Sequence, residues 1–219
     1  MDRSLKCLVV FKSLYLVIML LFGMGPHVGH AAWYDTYDFS GLGVTGFYPL
    51  DGNANDVSGN GLNGTAYNCS SATGHFAECY DFNGVMGSSG SRVWLPPFPH
   101  CEALSIAAWV YMEEYAPGTT YLEHYTIFLR RQDYADKSLM IDKNGYLHLA
   151  EIRGSGNPSS VVQSTSTVPL NGWHHVAGTL DQNYIRVYID GILAGESASA
   201  GPLYWGGSYY CTHIGMGSD

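Results

Sequence analysis

The chain has 219 residues and a formal net charge of −9, with 10 Lys plus Arg against 19 Asp plus Glu. That balance excludes nucleic acid as a partner, because a phosphate backbone is met by a surplus of Lys and Arg. An acidic make-up with 17 Tyr and 27 Gly suits hydroxyl-rich or cationic partners and divalent cations better.

The N-terminus reads Met1-Asp2-Arg3-Ser4-Leu5-Lys6, carries one more cation at Lys12, runs apolar over 14–22, and then meets Gly23, Pro26, Ala31 and Ala32. A cationic start, a short apolar run and small residues before the cut make a secretory signal peptide. Gly29 and Ala31 place cleavage after residue 31. The nine-residue run falls short of the roughly 20 residues a membrane-spanning helix needs, so no membrane insertion is expected after cleavage. The predicted organisation is a signal peptide at 1–31, an N-terminal extension at 32–43 and one folded domain at 44–219. Without Arg3, Lys6, Lys12 and Asp2, seven Lys plus Arg face eighteen Asp plus Glu, a net charge of −11. The predicted location is extracellular.

Between residues 47 and 68 two apolar runs flank a loop crowded with Asp, Asn and Gly. Hard cations take six to eight oxygens from carboxylates, amides and carbonyls, so Asp56, Asn60 and Asn53 are the candidate calcium ligands, with Gly59 and Gly61 letting carbonyls turn inward. The alternative is a turn whose Asn and Asp side chains bond their own backbone. Asn63-Gly64-Thr65 and Asn68-Cys69-Ser70 are N-glycosylation acceptors only in a eukaryotic source.

Cys7 sits in the leader, which leaves Cys69, Cys79, Cys101 and Cys211. An even count in an exported chain predicts two disulfides. Three pairings are open, and the preferred one is Cys69–Cys79 with Cys101–Cys211, since the first pair closes a short hairpin-like excursion. No Cys-x2-4-Cys spacing supports zinc.

From residue 44 onward, aromatic and β-branched runs alternate with Gly, Pro, Asn and Asp, without a sustained helical period. The prediction is an all-β chain with strands at 44–50, 64–68, 76–82, 92–95, 105–112, 125–131, 138–141, 146–152, 161–167, 173–180, 185–189, 192–196 and 211–216. Asn144-Gly145 and Asp190-Gly191 are expected to supply the positive φ angles of tight hairpins. Ile185, Val187 and Ile189 alternate with Arg186, Tyr188 and Asp190, the pattern of a sheet with one buried face in an antiparallel two-sheet sandwich. Both faces of 105–112 are apolar, which predicts a central strand covered on both sides. Trp109 and Trp173 are expected in the core. Pro96-Pro97-Phe98-Pro99 is a stiff connection.

For catalysis the chain offers little. Glu113 and Glu114 are neighbours and face opposite sides of a strand, and Asp133 and Asp136 lie near a loop. Neither a Gly-x-Ser-x-Gly elbow nor a His-Glu-x-x-His helix occurs. His174 and His175 also alternate in direction, so their rings do not chelate one ion. Tyr204, Trp205, Tyr209 and Tyr210 form a candidate ligand-binding platform in a Gly-rich segment, or else a plug for the end of the sandwich.

Taken in order, the segments 47–61, Asp81-Phe82-Asn83-Gly84, Leu104-Ser105-Ile106-Ala107-Ala108-Trp109-Val110, Asn171-Gly172-Trp173-His174-His175-Val176-Ala177, Ile185-Arg186-Val187-Tyr188-Ile189-Asp190-Gly191 and His213-Ile214-Gly215-Met216-Gly217 carry a resemblance. Over roughly residues 44–217 the chain resembles a laminin-G-like jelly-roll domain of the concanavalin A-like lectin and glucanase superfamily. The resemblance implies a jelly-roll sandwich, and a structural calcium in the loop holding Asp56 and Asn60. It also implies a last strand after the Ile-Gly motif; the sequence stops at Asp219, so a C-terminally truncated domain lacking that strand is expected. The glucanase members use a Glu-x-Asp-x-x-Glu strand, with acid and nucleophile on one face, and no segment here matches it. The expected function is non-catalytic recognition of glycans or extracellular proteins. The alternatives are an unfamiliar or degenerate glycoside hydrolase and a structural adhesion spacer.

Overall fold

A computed structural model describes residues 5–12, 43–83, 90–115, 124–132, 135–154, 156–206 and 209–215. The strands are β1 (Leu5–Lys12), β2 (Val44–Tyr48), β3 (Thr65–Tyr67), β4 (Ser70–Thr73), β5 (Glu78–Phe82), β6 (Arg92–Leu95), β7 (Leu104–Met112), β8 (His124–Gln132), β9 (Ala135–Asp142), β10 (Tyr146–Arg153), β11 (Ser160–Thr167), β12 (Trp173–Leu180), β13 (Tyr184–Ile189), β14 (Ile192–Ala198) and β15 (Tyr209–Ile214). All the predicted strands are present, and β1 and β4 are additional. Among the described residues no helix is long and apolar enough to cross a membrane.

Two antiparallel sheets make the sandwich. The eight-stranded sheet runs β14-β13-β12-β7-β1-β5-β4, with β2 also paired to β1; the seven-stranded sheet runs β11-β10-β9-β8-β15-β6-β3. Their inner faces meet in one apolar core that includes Ile106, Ala108, Val110 and Met112 from β7, Val176 from β12, Leu139 and Ile141 from β9, and Leu147 and Leu149 from β10. Side chains alternate across a strand, so the residues between these point outward. On β13, Ile185, Val187 and Ile189 are buried while Arg186 and Tyr188 are half-buried on the outside, as the alternation predicts.

The two hairpin turns solve the same problem differently. At Asp190 (φ 50°) and Gly191 (φ 78°) both residues are left-handed, which gives the tight two-residue turn. In the other, only Gly145 is left-handed, at φ 88°, and Asn144 is not. There the Gly145 amide bonds the Asp142 carbonyl, and Asp142 Oδ1 accepts from the amides of Asn144 and Tyr146. An aspartate-anchored turn thus replaces the expected Asn-Gly pair. A β-carbon on residue 145 would also overlap the Tyr115 ring, so glycine is needed there twice over.

β7 is central, as predicted, lying between β12 and β1, but it is not covered on both sides as expected: Ile106, Ala108, Val110 and Met112 lie in the core, while Trp109 and Tyr111 on the outer face are only partly buried. β1 falls within the segment that reads as a leader, in full register with β7 from Leu5 opposite Met112 to Lys12 opposite Ser105. The cleavage site at Gly29 and Ala31, residues 32–42 of the N-terminal extension, Asp133 and the side chains of Cys7 and Tyr210 lie outside the described residues.

Candidate ligand-binding face

The outer face of the eight-stranded sheet gathers the side chains best suited to a ligand. The β7–β12 register sets Tyr111 beside Trp173, Trp109 beside His175, Ala107 beside Ala177, and Ser105 beside Thr179. Continuing across β13 and β14, Ala177 meets Tyr188, Thr179 meets Arg186, and Arg186 meets Glu196. The result is an aromatic end and a polar end separated by an alanine floor. The six residue steps from Tyr111 to Ser105 span about 20 Å, enough for an extended oligomer.

At the aromatic end the turn between β4 and β5 folds over the sheet. His75 stacks on Trp109 with ring centroids 4.0 Å apart, Phe76 meets the same ring edge-on at 5.9 Å, and His175 meets it edge-on at 5.5 Å. Tyr111 and Trp173 tilt toward each other at 5.7 Å, and both stay half-exposed. Trp109 Nε1 and His175 Nε2 are buried and have no hydrogen-bond partner among the described residues. Burial holds the His175 imidazole below its ordinary pKa, against the opposing pull of Asp190, and burial lowers His75 likewise. Both rings are therefore neutral near pH 7. At the polar end Arg186 binds Glu196 through Nε at 2.6 Å, lies 3.9 Å from Asp181, and packs over the Tyr184 ring.

Trp109 and Trp173 were expected in the core and are instead on the outside. The signal was present in the alternation: Ile106, Ala108, Val110 and Met112 already filled one face of β7, which left Ala107, Trp109 and Tyr111 for the other. His174 and His175 do point to opposite faces. Nδ1 of His174 lies 2.8 Å from Asp190 Oδ2, while the His175 amide donates to Asp190 Oδ1. Among the described residues no group of three His, Cys, Asp or Glu is placed to hold a metal.

The loop proposed for calcium is stitched to itself. Asp56 Oδ1 accepts from the amides of Phe47 and Ser58, and Oδ2 accepts from the amide of Leu62. Asn60 directs its amide nitrogen at the carbonyls of Val44 and Thr45, and Asn53 bonds the Asp51 carbonyl and the Asn55 amide. A cation needs oxygens converging on open space, whereas the Asp56 and Asn53 oxygens face N–H donors and Asn60 turns its nitrogen to backbone carbonyls. Asp56, Asn60 and Asn53 as placed do not fit calcium. Asn63 and Asn68 are exposed, and Asn63 Oδ1 accepts the Asp56 amide.

The predicted platform divides. Trp205 has one face stacked on His100 at 4.8 Å and Arg130 and Lys137 over its ring at 4.4 and 4.2 Å, and its Nε1 donates to the Cys101 carbonyl. Beneath it, Lys137 and Glu151 form a buried pair at 3.4 Å, and Arg153 binds Glu151 Oε2 through Nε and one terminal nitrogen. The Tyr204 amide donates to Glu151, and Lys137 to the Tyr204 carbonyl. Tyr209 donates its hydroxyl to the Leu95 carbonyl. Trp205 is thus a plug with its ring and nitrogen engaged, while Tyr204 remains exposed.

No disulfide joins Cys69, Cys79, Cys101 and Cys211 among the described residues; the Cys69 thiol donates to the carbonyls of Tyr67 and Arg92, and the Cys79 thiol to that of Thr73. The β4–β5 register sets Cys79 opposite Ala72, with Cys69 lying before the strand, so the Cys69 and Cys79 backbones are offset by about three residues, or roughly 10 Å. A disulfide tolerates less than about 7 Å between Cα atoms. Cys101 and Cys211 are also separated. The Cys101 carbonyl meets Trp205 at the inner side of the seven-stranded sheet, whereas Cys211 alternates with inward-facing Thr212 and faces the other way.

A laminin-G family model, described as the concanavalin A-like lectin/glucanases superfamily, matches residues 87–218. No curated protein matches the sequence. Among solved structures, domain 4 of AbnA, a GH43 extracellular arabinanase from Geobacillus stearothermophilus solved with arabinotriose, superposes with TM-score 0.59 at 21% identity, over 78% of this chain and 82% of that one. The carbohydrate-binding module CBM66 from Bacillus subtilis matches at TM-score 0.32 and 9% identity, over 70% and 91% of the two chains. The kappa-carrageenase of Pseudoalteromonas carrageenovora, solved with an oligotetrasaccharide of kappa-carrageenan, matches at 0.37 and 11%, over 72% and 67%. At 21% identity the likeness to the AbnA domain concerns the fold.

Proposed function

The chain belongs to the concanavalin A-like lectin/glucanases superfamily, and we propose that it is a secreted, non-catalytic module that binds a glycan on the outer face of its eight-stranded sheet. The observation that carries this reading is the pair of buried ring nitrogens, Trp109 Nε1 and His175 Nε2, left without partners among the described residues within a cluster of aromatic rings. A hydrogen-bonding group buried unsatisfied costs about 1–3 kcal/mol, and a ligand hydroxyl entering beside the His75–Phe76 turn relieves that cost. Sugar rings offer apolar C–H faces to aromatic rings and hydroxyls to polar edges, which matches an aromatic end and a polar end joined by alanines. The carboxylates at the polar end, Asp181 and Glu196, are both turned to Arg186, an arrangement suited to holding a ligand rather than to acid–base chemistry. Calcium has no part in this reading.

The test is a glycan array probed with the full chain, with and without a chelator, beside an assay for released reducing ends. Binding is expected to survive chelation, with no hydrolysis. Trp109→Phe, which removes the ring nitrogen, and Trp173→Ala should each weaken binding about tenfold. Trp205→Ala should leave the affinity of the folded fraction unchanged. The proposal fails if no glycan binds, if Trp109→Phe and Trp173→Ala bind normally, or if reducing ends accumulate.

A further inference from the structure

At one end of the seven-stranded sheet the inner face turns from apolar to charged. Register sets Arg130 beside Lys137 and Lys137 beside Glu151, on the side of β9 and β10 that carries Leu139 and Leu149 into the core. These three residues are 3%, 1% and 0% exposed. Arg153 joins them through Glu151 Oε2 at 2.7 Å, and Lys137 meets Oε1 at 3.4 Å. Three cations thus face one carboxylate among the described residues, a local excess of two positive charges. Arg130 is the one left over. One of its terminal nitrogens donates to the Phe98 carbonyl at 2.9 Å and its guanidinium lies over the Trp205 ring, but its Nε is buried without a partner among the described residues. Burial holds the Arg130 guanidinium and the Lys137 ammonium below their ordinary pKa values, and Arg130 lowers Lys137 further although Glu151 opposes the fall. Buried charge is tolerated when it is paired. Nor does the cluster lack a strand, since β15, β8, β9 and β10 are consecutive and each is paired on both edges.

We propose that Arg130 and Lys137 form a binding site for a carboxylate, entered beside Trp205 past Cys101. Cys101 is near enough to both cations for them to pull its thiol pKa down against the larger upward push of burial. It is only half-buried, and its neighbour His100 is exposed, so the cations have a neighbour that reaches solvent. The Nε edge of a guanidinium is the side that meets a carboxylate through two parallel hydrogen bonds, and the nearby ammonium adds charge. A carboxylate supplies the missing negative charge and only accepts, as an unpaired N–H requires. A tetrahedral dianion such as sulfate calls for more donors than the single unmet Nε provides. The group reaches the protein as a small free acid or as the acid group of a uronic sugar. This site lies on the other sheet from the glycan face and does not rest on it.

The experiment melts the full chain in sodium acetate, sodium glucuronate, sodium sulfate or glucose, each matched in ionic strength with sodium chloride. In parallel, alkylation of Cys101 by N-ethylmaleimide is followed through peptide masses. At about ten times its Kd, acetate should raise the Tm by about 3–6 °C and slow Cys101 alkylation about tenfold, because the site is both stabilised and covered. In Arg130→Met both effects should vanish. Should that variant not fold, Cys101 alkylation in the parent chain decides alone. An effect of acetate, with or without glucuronate, assigns a general carboxylate site; an effect of glucuronate alone, absent with glucose, assigns an acidic sugar. Both support the proposal. It is overturned if neither carboxylate acts, if sulfate acts as strongly, if glucose matches glucuronate, or if Arg130→Met responds like the parent. None of these readouts depends on the glycan array, so failure of the glycan reading leaves the result standing.

Discussion

Trp205 and Trp109 are both aromatic residues gathered with histidine, and the structure treats them in opposite ways. Trp205 has its nitrogen bonded to the Cys101 carbonyl, one face on His100, and its ring beneath Arg130 and Lys137. Trp109 is covered by His75 but keeps a buried nitrogen with no partner among the described residues, beside a histidine in the same condition. Satisfied polar atoms mark framework, because leaving them unmade costs free energy. Arg130 Nε beside Trp205 is also buried without a partner among the described residues, so the contrast rests on the tryptophan nitrogens themselves, bonded in Trp205 and unmet in Trp109.

The largest test of this contrast is Glu151→Ala, which strands buried Lys137 and Arg153 and releases the Tyr204 amide. Removing one partner of a buried pair costs about 3–5 kcal/mol, so urea denaturation should show a loss of that size; a loss below about 1 kcal/mol would mean that the Trp205 region is not framework. Next is Asp56→Ala, which deprives three backbone amides of their acceptor and should cost about 1–3 kcal/mol. A chelator should leave the Tm of the parent chain unchanged, and a fall would restore calcium to that loop.

Acid should act on the Trp109 side. Burial lowers the folded pKa of His175 below its ordinary value of 6.5, so as pH falls through 6.5 the unfolded chain takes up a proton that the folded chain resists. Stability from this group is present above 6.5 and declines down to the folded pKa. His175→Gln should flatten that part of the stability–pH curve; an unchanged slope would show that the ring is not held neutral. The smallest effect belongs to Arg186→Ala, where exposed partners limit the change to about 0–1 kcal/mol, while glycan affinity should fall if the polar end takes part. Thermal melts and array titrations of one preparation separate the two.

Much of the sandwich was legible in the residues. Alternation along 185–189, the Asp190-Gly191 turn and the boundaries of β6, β7 and β12 followed from side-chain period and turn chemistry, which are local. β4 was missed because Ser70–Thr73 is short and polar, and its pairing comes from β5. The candidate face was missed although its parity was present in β7, because a tryptophan reads as core until the opposite face is seen to be full. Tyr204, Trp205, Tyr209 and Tyr210 looked alike in sequence; only the distant Lys137 and Glu151 made Trp205 a plug.

The sequence by itself determined an acidic all-β chain, its turns, its family resemblance and a leader-like N-terminus, since composition, period and glycine placement act over a few residues. Tertiary structure decided which aromatic residues face outward, that the Asp56 carboxylate serves backbone amides, and that the cysteines stand apart. It also set β1 between β7 and β5. These outcomes depend on register and on sheet-to-sheet packing, which bring together residues far apart in the chain.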